Sequence, residues 1–468
     1  MPIARCQLPI NMNPLDSYQN IFFIGIAGSG MSALAQYLAG VGKIVSGSDR
    51  FFVPDQPNET RDKLEAEGIK CFLQDGAGID PDTDLVIAST AVEETNVEIQ
   101  KAKSLGIQIL LRSELLTIIS DSKRTVAVGG TSGKSTTTAI LFDILEYGGL
   151  QPSIISGAGL VRLQKKGKIG NAHVGKGDWL VIEADESDGS IVNYHPEVGL
   201  LLNIDKDHKE IDELKEIFQT FKVNAKRLFV VNASNELTAP FSQNKKQDFS
   251  STDAEAGYKA TDFHQRGFEI SFRINGVDFS MNAIGRHNME NALAATCIAN
   301  QLGVDLEVCV EAIKNYEGIY RRNQVLGQKN GIWVIDDYAH NPAKVAAAIR
   351  SVQPLAKKIV AWFQPHGYGP TRFLRHDFVK EISNALRPQD EIWMSEIFYA
   401  GGTTTKNISA GDLINDLKQL GSNAFFVADR NDFVEQVKRH IEKDSALVLM
   451  GARDPSLDEF AKKVFEEL

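Results

Sequence analysis

Cysteine is scarce in this chain: four in 468 residues (Cys6, Cys71, Cys297 and Cys309), with no pair at CxxC spacing. That excludes a disulfide scaffold and a cysteine zinc site as organising devices. Positive charge is short as well. Fifty Lys and Arg face 61 Asp and Glu, a formal charge of −11, so broad nucleic-acid binding, which needs clustered cations, is not expected. Long apolar runs are missing too. No stretch approaches the roughly 18 apolar residues of a membrane helix, so membrane insertion is not expected. The opening MPIARCQLPINMNPLD lacks the continuous apolar segment of a secretory signal, which makes a reducing cytoplasm the simplest expected location. Low-complexity segments and solenoid-period repeats are absent. What remains is an ordinary globular composition, 43% hydrophobic and 24% charged, long enough for two to four domains.

Three stretches share one grammar: an apolar β-rich run, a turn containing glycine, and a helical pattern. The first runs IFFIGI at 21–26, then AGSG, then MSALAQYLAGVG, whose Met31, Leu34, Ala35 and Leu38 fall at helical spacing. Strands are expected at 43–46 and 85–88, the latter ending in Ser89 and Thr90. The second opens with TVAV at 125–128, turns at GGTSGKS and enters TTTAILFDILEYGG. It continues through strands at 179–182 and 198–202, short strands within 235–284 and a helix at 287–302. The third has strands at 332–335, 358–363, 391–394, 424–427 and 446–450, with a helix from Ala343. Strands alternating with helices predict parallel α/β units. The expected architecture is α/β in three domains: a Rossmann-like domain over 1–120, a central P-loop ATPase-like domain over 121–323 and a Rossmann-like domain over 324–468.

The strongest chemical signal is Gly129-Gly130-Thr131-Ser132-Gly133-Lys134-Ser135, between a strand and a helix. Glycines let backbone N–H groups approach phosphate oxygens, and the helix N-terminus adds partial positive charge. Lys134 is expected to neutralise β- and γ-phosphates, and the Ser135 hydroxyl to bind Mg²⁺. Val128 stands where a strict GxxxxGK[ST] loop has its first glycine. Glu183-Ala184-Asp185-Glu186-Ser187-Asp188 follows the strand WLVI and supplies carboxylates of the kind Mg²⁺ prefers. A third polar strand end, Asn203-Ile204-Asp205-Lys206-Asp207-His208, lies at the same expected sheet edge, where ligands of open α/β sheets bind. In the N-terminal unit, Gly28-x-Gly30-x-x-Ala33 with Asp49 after the next strand has the form of a dinucleotide fingerprint. Taken alone it points to NAD, and a nicotinamide-dependent oxidoreductase is the rival reading of another class. Any diphosphate could use the same turn. A P-loop protein that hydrolyses ATP without ligation is a further rival. In the third unit, DDYAHNP and QPHGY also follow strands.

Together these segments resemble the Mur ligase family, the ATP-dependent amide ligases of peptidoglycan stem-peptide assembly. FFIGIAGSGMSALA with SGSD resembles the family's UDP-sugar site. GGTSGKSTTT resembles its short phosphate loop GTxGK[ST], and EADESD with His208 resembles its magnesium pair. GRHNMENALAA, the Arg321-Arg322 pair, DDYAHNP and QPHGYGPTR resemble the remaining signatures of the alanine-adding branch. The resemblance covers almost the whole chain. It implies cytoplasmic joining of L-alanine to the carboxylate of UDP-N-acetylmuramate, by a monomer or weak homodimer using ATP and Mg²⁺. The alternative within the family is a recycling ligase that adds L-Ala-γ-D-Glu-meso-diaminopimelate.

The residue roles that the resemblance implies are as follows. Lys134, Glu183, His208 and His366 carry the chemistry. Gly130, Thr131, Ser132, Gly133, Lys134, Ser135, Thr136, Asn288, Asn291, Arg322, Asp337 and Tyr338 hold ATP, the two asparagines at its adenine. Ser135, Glu183 and His208 bind Mg²⁺. Gly28, Ser29, Gly30, Met31, Asp49, Ser89, Thr90, Asp185, His340 and Arg372 hold the substrates. Hinges are expected near 116–124 and 320–325. Two departures stand out. The branch usually reads QPHRYTRT where this chain has Gly367 and Pro370 in place of two arginines, and GTHGK where it has Ser132.

Overall fold

The computed structural model describes residues 14–90, 92–187, 189–205, 210–399 and 405–468. It divides into two compact units. The first comprises residues up to Phe263 with Ser271–Met281 and Arg286–Ile319; the second comprises His264–Ile270, Asn282–Gly285 and Tyr320–Leu468. No described helix is long and apolar enough to cross a membrane. The three described cysteines are free and buried.

The first unit holds two α/β sheets. The N-terminal sheet is parallel, in the order Lys70–Phe72, Ile44–Ser48, Asn20–Ile24, Leu85–Ala88, Gln108–Leu111. Its strand order reverses between Asn20–Ile24 and Leu85–Ala88, which opens a crevice at their carboxyl ends. The middle sheet runs Leu228–Val231, Val198–Leu201, Arg124–Gly129, Trp179–Glu183, Ser153–Ile155, Ala172–His173, with only the last strand antiparallel. Leu85–Ala88 in the first sheet and Val198–Leu201 and Leu228–Val231 in the second are fully buried, as apolar runs covered on both faces require. Arg124–Gly129 is central, so the loop after it has the ends of Val198–Leu201 and Trp179–Glu183 on either side.

The two sheets share one apolar core, in which Leu34, Leu38, Leu115 and Ile119 cluster with Ile155, Leu180 and Phe218. A buried polar knot pins the first helix, Ser29–Gly40, to the middle region. Gln36 Nε2 donates to Asn171 Oδ1 at 2.7 Å, and Asn171 Nδ2 donates to the Ser29 carbonyl at 2.7 Å and to Ser32 Oγ at 2.9 Å. A four-stranded sheet (Phe249–Ser250, Tyr258–Arg266, Glu269–Ile274, Val277–Met281) follows, then the helix Arg286–Gln301.

The second unit carries a six-stranded sheet in the order Gln324–Lys329, Ile332–Asp337, Ser445–Gly451, Lys358–Gln364, Glu391–Met394, Asn423–Phe426. Only Gln324–Lys329 is antiparallel. The last long strand of the chain, Ser445–Gly451, is inserted between Ile332–Asp337 and Lys358–Gln364. The helix Pro342–Val352 starts with proline in its first turn, where the missing N–H costs nothing, and Asn341 caps it by accepting from Lys344 N.

Candidate active site

The phosphate loop follows the central strand Arg124–Gly129 and opens the helix Lys134–Tyr147. It is braced from the neighbouring strand end. Ser132 N donates to Asn203 Oδ1 at 2.8 Å, and Asn203 Nδ2 donates back to the Ser132 carbonyl at 3.0 Å. Thr131 Oγ1 donates to the same Asn203 oxygen at 2.9 Å and receives Asp205 N at 3.0 Å. Asn203 thus spans from the neighbouring strand end and fixes the loop's shape. Gly133 sits at φ +83°, and a Cβ there would lie 2.5 Å from Asn291 Oδ1. Asn291 accepts from Thr137 Oγ1 at 3.2 Å and donates to Asn288 Oδ1 at 3.4 Å. The expected adenine pair therefore stands against the loop itself. A cleft of about 170 Å³ lies there, lined by Ser132, Gly133, Leu202, Asn203, Asn232, Phe249, His287, Glu290 and Asn291. His287, Asn232 and Phe249 were not foreseen in the sequence, because they reach the cleft only through the packing of three separate elements.

Lys134 does not project freely. Its Nζ donates to Glu186 Oε2 at 2.7 Å and to the Gly130 carbonyl at 2.8 Å, with Asp185 at 3.8 Å. Burial raises the Glu186 carboxyl above its ordinary range despite the lysine beside it. Burial acts the same way on Asp185, but Lys134, the Ser187 hydrogen bonds and Arg112 together outweigh it and hold that carboxyl low. Ser135 Oγ donates to Glu183 Oε2 at 2.9 Å; the other Glu183 oxygen receives Ser156 Oγ at 2.5 Å and Gly157 N at 2.7 Å. A hydroxyl and a carboxylate converging beside a phosphate loop form an all-oxygen donor set suited to Mg²⁺. His208, the third expected metal ligand, lies outside the described residues. Among the described residues no cluster of three His, Cys, Asp or Glu side chains could hold an ion. Thr136 lies in the first helical turn.

In the N-terminal sheet, Gly28 precedes the helix Ser29–Gly40, whose first turn contains Gly30 and Met31. Met31 is buried in the core. Ser89 and Thr90 follow the strand across the switch point. Asp49 closes the strand beside the glycine turn. Its oxygens accept Ala27 N and Phe51 N, each at 3.0 Å, so it ties the glycine turn to its own loop. Arg112, at the start of the helix Arg112–Asp121, lies over Gly30: a Cβ on Gly30 would be 3.0 Å from its Cδ. It also lowers Asp185. One guanidinium thus links the glycine turn to the acidic loop, a connection the sequence did not disclose.

In the second unit, Arg321 forms a buried pair with Asp336 at 2.9 Å and donates to the Gly451 carbonyl at 3.0 Å. Asp337 is also buried. It accepts Asn323 N at 2.6 Å and Ala339 N at 2.7 Å, and so shapes the DDYAHNP turn rather than facing outward. The Arg322 guanidinium lies 5.7 Å from the centroid of the Tyr338 ring. His340 Nδ1 lies 2.9 Å from the Tyr338 carbonyl, which can only accept. The Nδ1 therefore carries the proton and leaves the Nε2 lone pair available. Burial pushes His340 down to about 4, so its ring is neutral at physiological pH. The His366 ring is 5.8 Å away; its Nδ1 is buried and makes no hydrogen bond among the described residues. Arg372 donates to Asn407.

Three family descriptions match in chain order: the Mur ligase family catalytic domain over residues 20–124, the Mur ligase middle domain over 128–299, and the Mur ligase glutamate ligase domain over 321–453. A UDP-N-acetylmuramate–L-alanine ligase of Geobacter sp. (strain M21) is 34% identical, covering 93% of this chain and 95% of its own. One from Caldanaerobacter subterraneus subsp. tengcongensis is 32% identical over 97% and 98%. The crystal structure of the UDP-N-acetylmuramate–alanine ligase of Thermotoga maritima superposes with a TM-score of 0.78 at 27% identity, over 96% and 98% of the two chains. A murein peptide ligase from Psychrobacter arcticus shares the fold, with a TM-score of 0.68 at 21% identity over 96% and 98%.

Proposed function

The chain belongs to the Mur ligase family, and from that premise we propose that it joins L-alanine to the lactyl carboxylate of UDP-N-acetylmuramate at the expense of ATP. The supporting observation is the braced phosphate loop, with Ser135 and Glu183 converging at 2.9 Å beside Lys134. That arrangement, in a chain this similar to alanine-adding relatives over nearly its full length, favours ligation over either rival. A nicotinamide enzyme would have no use for it.

Amide formation from a carboxylate needs a better leaving group than oxide. The proposed route is attack of a muramate carboxylate oxygen on the γ-phosphorus with loss of ADP, giving an acyl phosphate. The uncharged amine then attacks the acyl carbon, its nitrogen gives up a proton, and the departing inorganic phosphate takes a proton in balance. The protein's part is positioning and charge neutralisation. In this reaction Lys134 exchanges its bond to Glu186 for the phosphates. Ser135 and Glu183 are the described residues that would hold Mg²⁺, which offsets phosphate charge when bound. His340, neutral with Nε2 unprotonated, can accept a hydrogen bond from the amine. In this assignment residues 1–120 take the UDP-sugar, 121–323 take ATP and 324–468 take the amine.

The test is ADP release with ATP, Mg²⁺ and UDP-N-acetylmuramate, run with L-alanine, with L-Ala-γ-D-Glu-meso-diaminopimelate, and with neither. Release that requires L-alanine supports the proposal. Release only with the tripeptide assigns the chain to peptide recycling, and release without either amine contradicts ligation.

A further inference from the structure

An amino acid brings a carboxylate as well as an amine, and a protein must meet that charge with a cation. Gly367 and Pro370 offer none at the end of the strand Lys358–Gln364. The geometry of the second sheet shows where one is supplied. Ser445–Gly451 lies between the two strands that carry the histidines; Asp337 is in register with Met450, and Gln364 with Gly451. His340 and His366 extend from the outer two strands, three and two residues beyond them, and their rings close to 5.8 Å. Arg453 extends two residues beyond the strand between them. We propose that Arg453 receives the carboxylate of the amine substrate, between His340 and His366.

Three further observations favour this residue. Its backbone is held at φ +70°, a conformation that non-glycine residues adopt at a cost and that concentrates at functional sites. Its side chain forms no ion pair or hydrogen bond among the described residues; the neighbouring Asp454 is committed to Arg430 at 2.6 Å. Its charge reaches His366, where it adds to burial in lowering the imidazole. Other cations of this unit are engaged elsewhere: Arg372 is bonded to Asn407, Arg322 lies over Tyr338, Lys406 lies over Tyr368 and Tyr399, and Lys344, whose charge acts on His340, also has a partner of its own.

The inference rests on the ligase reading, and its test separates the two. Wild-type enzyme is assayed first with L-alanine and with L-alaninamide, which keeps the amine and lacks the carboxylate; release of ADP that ignores both would overturn the ligase reading itself. With alanine-dependent release established, Arg453→Ala and Arg453→Gln are compared with wild type. Loss of a charge-assisted hydrogen bond predicts that KM for L-alanine rises roughly 10- to 100-fold. KM for ATP and UDP-N-acetylmuramate stays unchanged, and the preference for L-alanine over L-alaninamide shrinks by the same factor. An unchanged KM for L-alanine in both folded variants overturns the assignment, as does a full retained preference over the amide. A rise seen only on Lys406→Ala overturns it in favour of that lysine.

Discussion

Gly133 has little latitude, because its φ of +83° and the 2.5 Å approach to Asn291 both exclude a side chain. Gly133→Ala incurs about 1–2 kcal/mol of backbone strain and displaces Asn291. It is expected to raise KM for ATP at least tenfold, read from initial rates, while KM for L-alanine holds. Lys134→Ala removes the only cation that the loop itself offers; kcat should fall by about 10²–10³-fold, the range for losing one preorganised charge-stabilising donor, and a variant with near-normal turnover would refute the loop assignment. Glu98 makes a prediction of a different kind. It is fully buried, accepts from Ser48 Oγ at 2.6 Å, and is pushed by burial up to about 7. A folded-state pKa raised above the unfolded value means that the native state binds more protons between about pH 4.5 and 7, so this group makes stability fall as pH rises through that window. Glu98→Gln should flatten that part of the stability-versus-pH curve, measured by urea unfolding at pH 5 and pH 8. An unaltered slope would show that Glu98 titrates normally.

At the scale of elements, the helix Ser29–Gly40 is held to the middle region by Gln36, which donates to Asn171, and by Asn171, which donates to the Ser29 carbonyl. Asn171→Ala leaves buried donors and acceptors unpaired and is expected to cost about 1–3 kcal/mol, seen as a lower urea midpoint. The elements themselves were largely legible in the sequence. Apolar runs ending in polar residues marked 85–88, 179–182 and 391–394 to within a residue, because a strand covered on both faces must be apolar throughout. Gln324–Lys329 escaped notice because an antiparallel edge strand with the sequence QVLGQK carries no such run. The phosphate loop, the acidic strand end and the two histidine turns were legible for a related reason: each is a local strand–turn–helix statement. The bracing by Asn203, the capture of Lys134 by Glu186, the reach of Arg112 over Gly30 and the placement of Arg453 were not. Each depends on which strand ends become neighbours, and only the sheet order decides that. Asp49 and Asp337 show the converse. Their positions were legible, but their carboxylates serve backbone N–H groups.

At the scale of the whole molecule, separate sheets carry the features to which the proposed function gives separate tasks: a glycine turn at one switch point, the GGTSGKS loop at the centre of the next sheet, and a histidine pair around an inserted strand in the third. The division predicts selective linkage. Mg²⁺-ATP at a hundred times its Kd should stabilise the protein by about 2.7 kcal/mol, and Lys134→Ala should remove most of that shift in thermal unfolding while leaving any shift caused by UDP-N-acetylmuramate. In the proposed reaction ATP activates the muramate carboxylate for attack by L-alanine. It is tested most directly with UDP-N-acetylmuramate carrying ¹⁸O in its lactyl carboxylate, incubated with ATP, Mg²⁺ and L-alanine, the products being read by mass spectrometry. The expected products are UDP-N-acetylmuramoyl-L-alanine and inorganic phosphate that has gained one ¹⁸O. Unlabelled phosphate, or ATP consumption without the amide product, would contradict it.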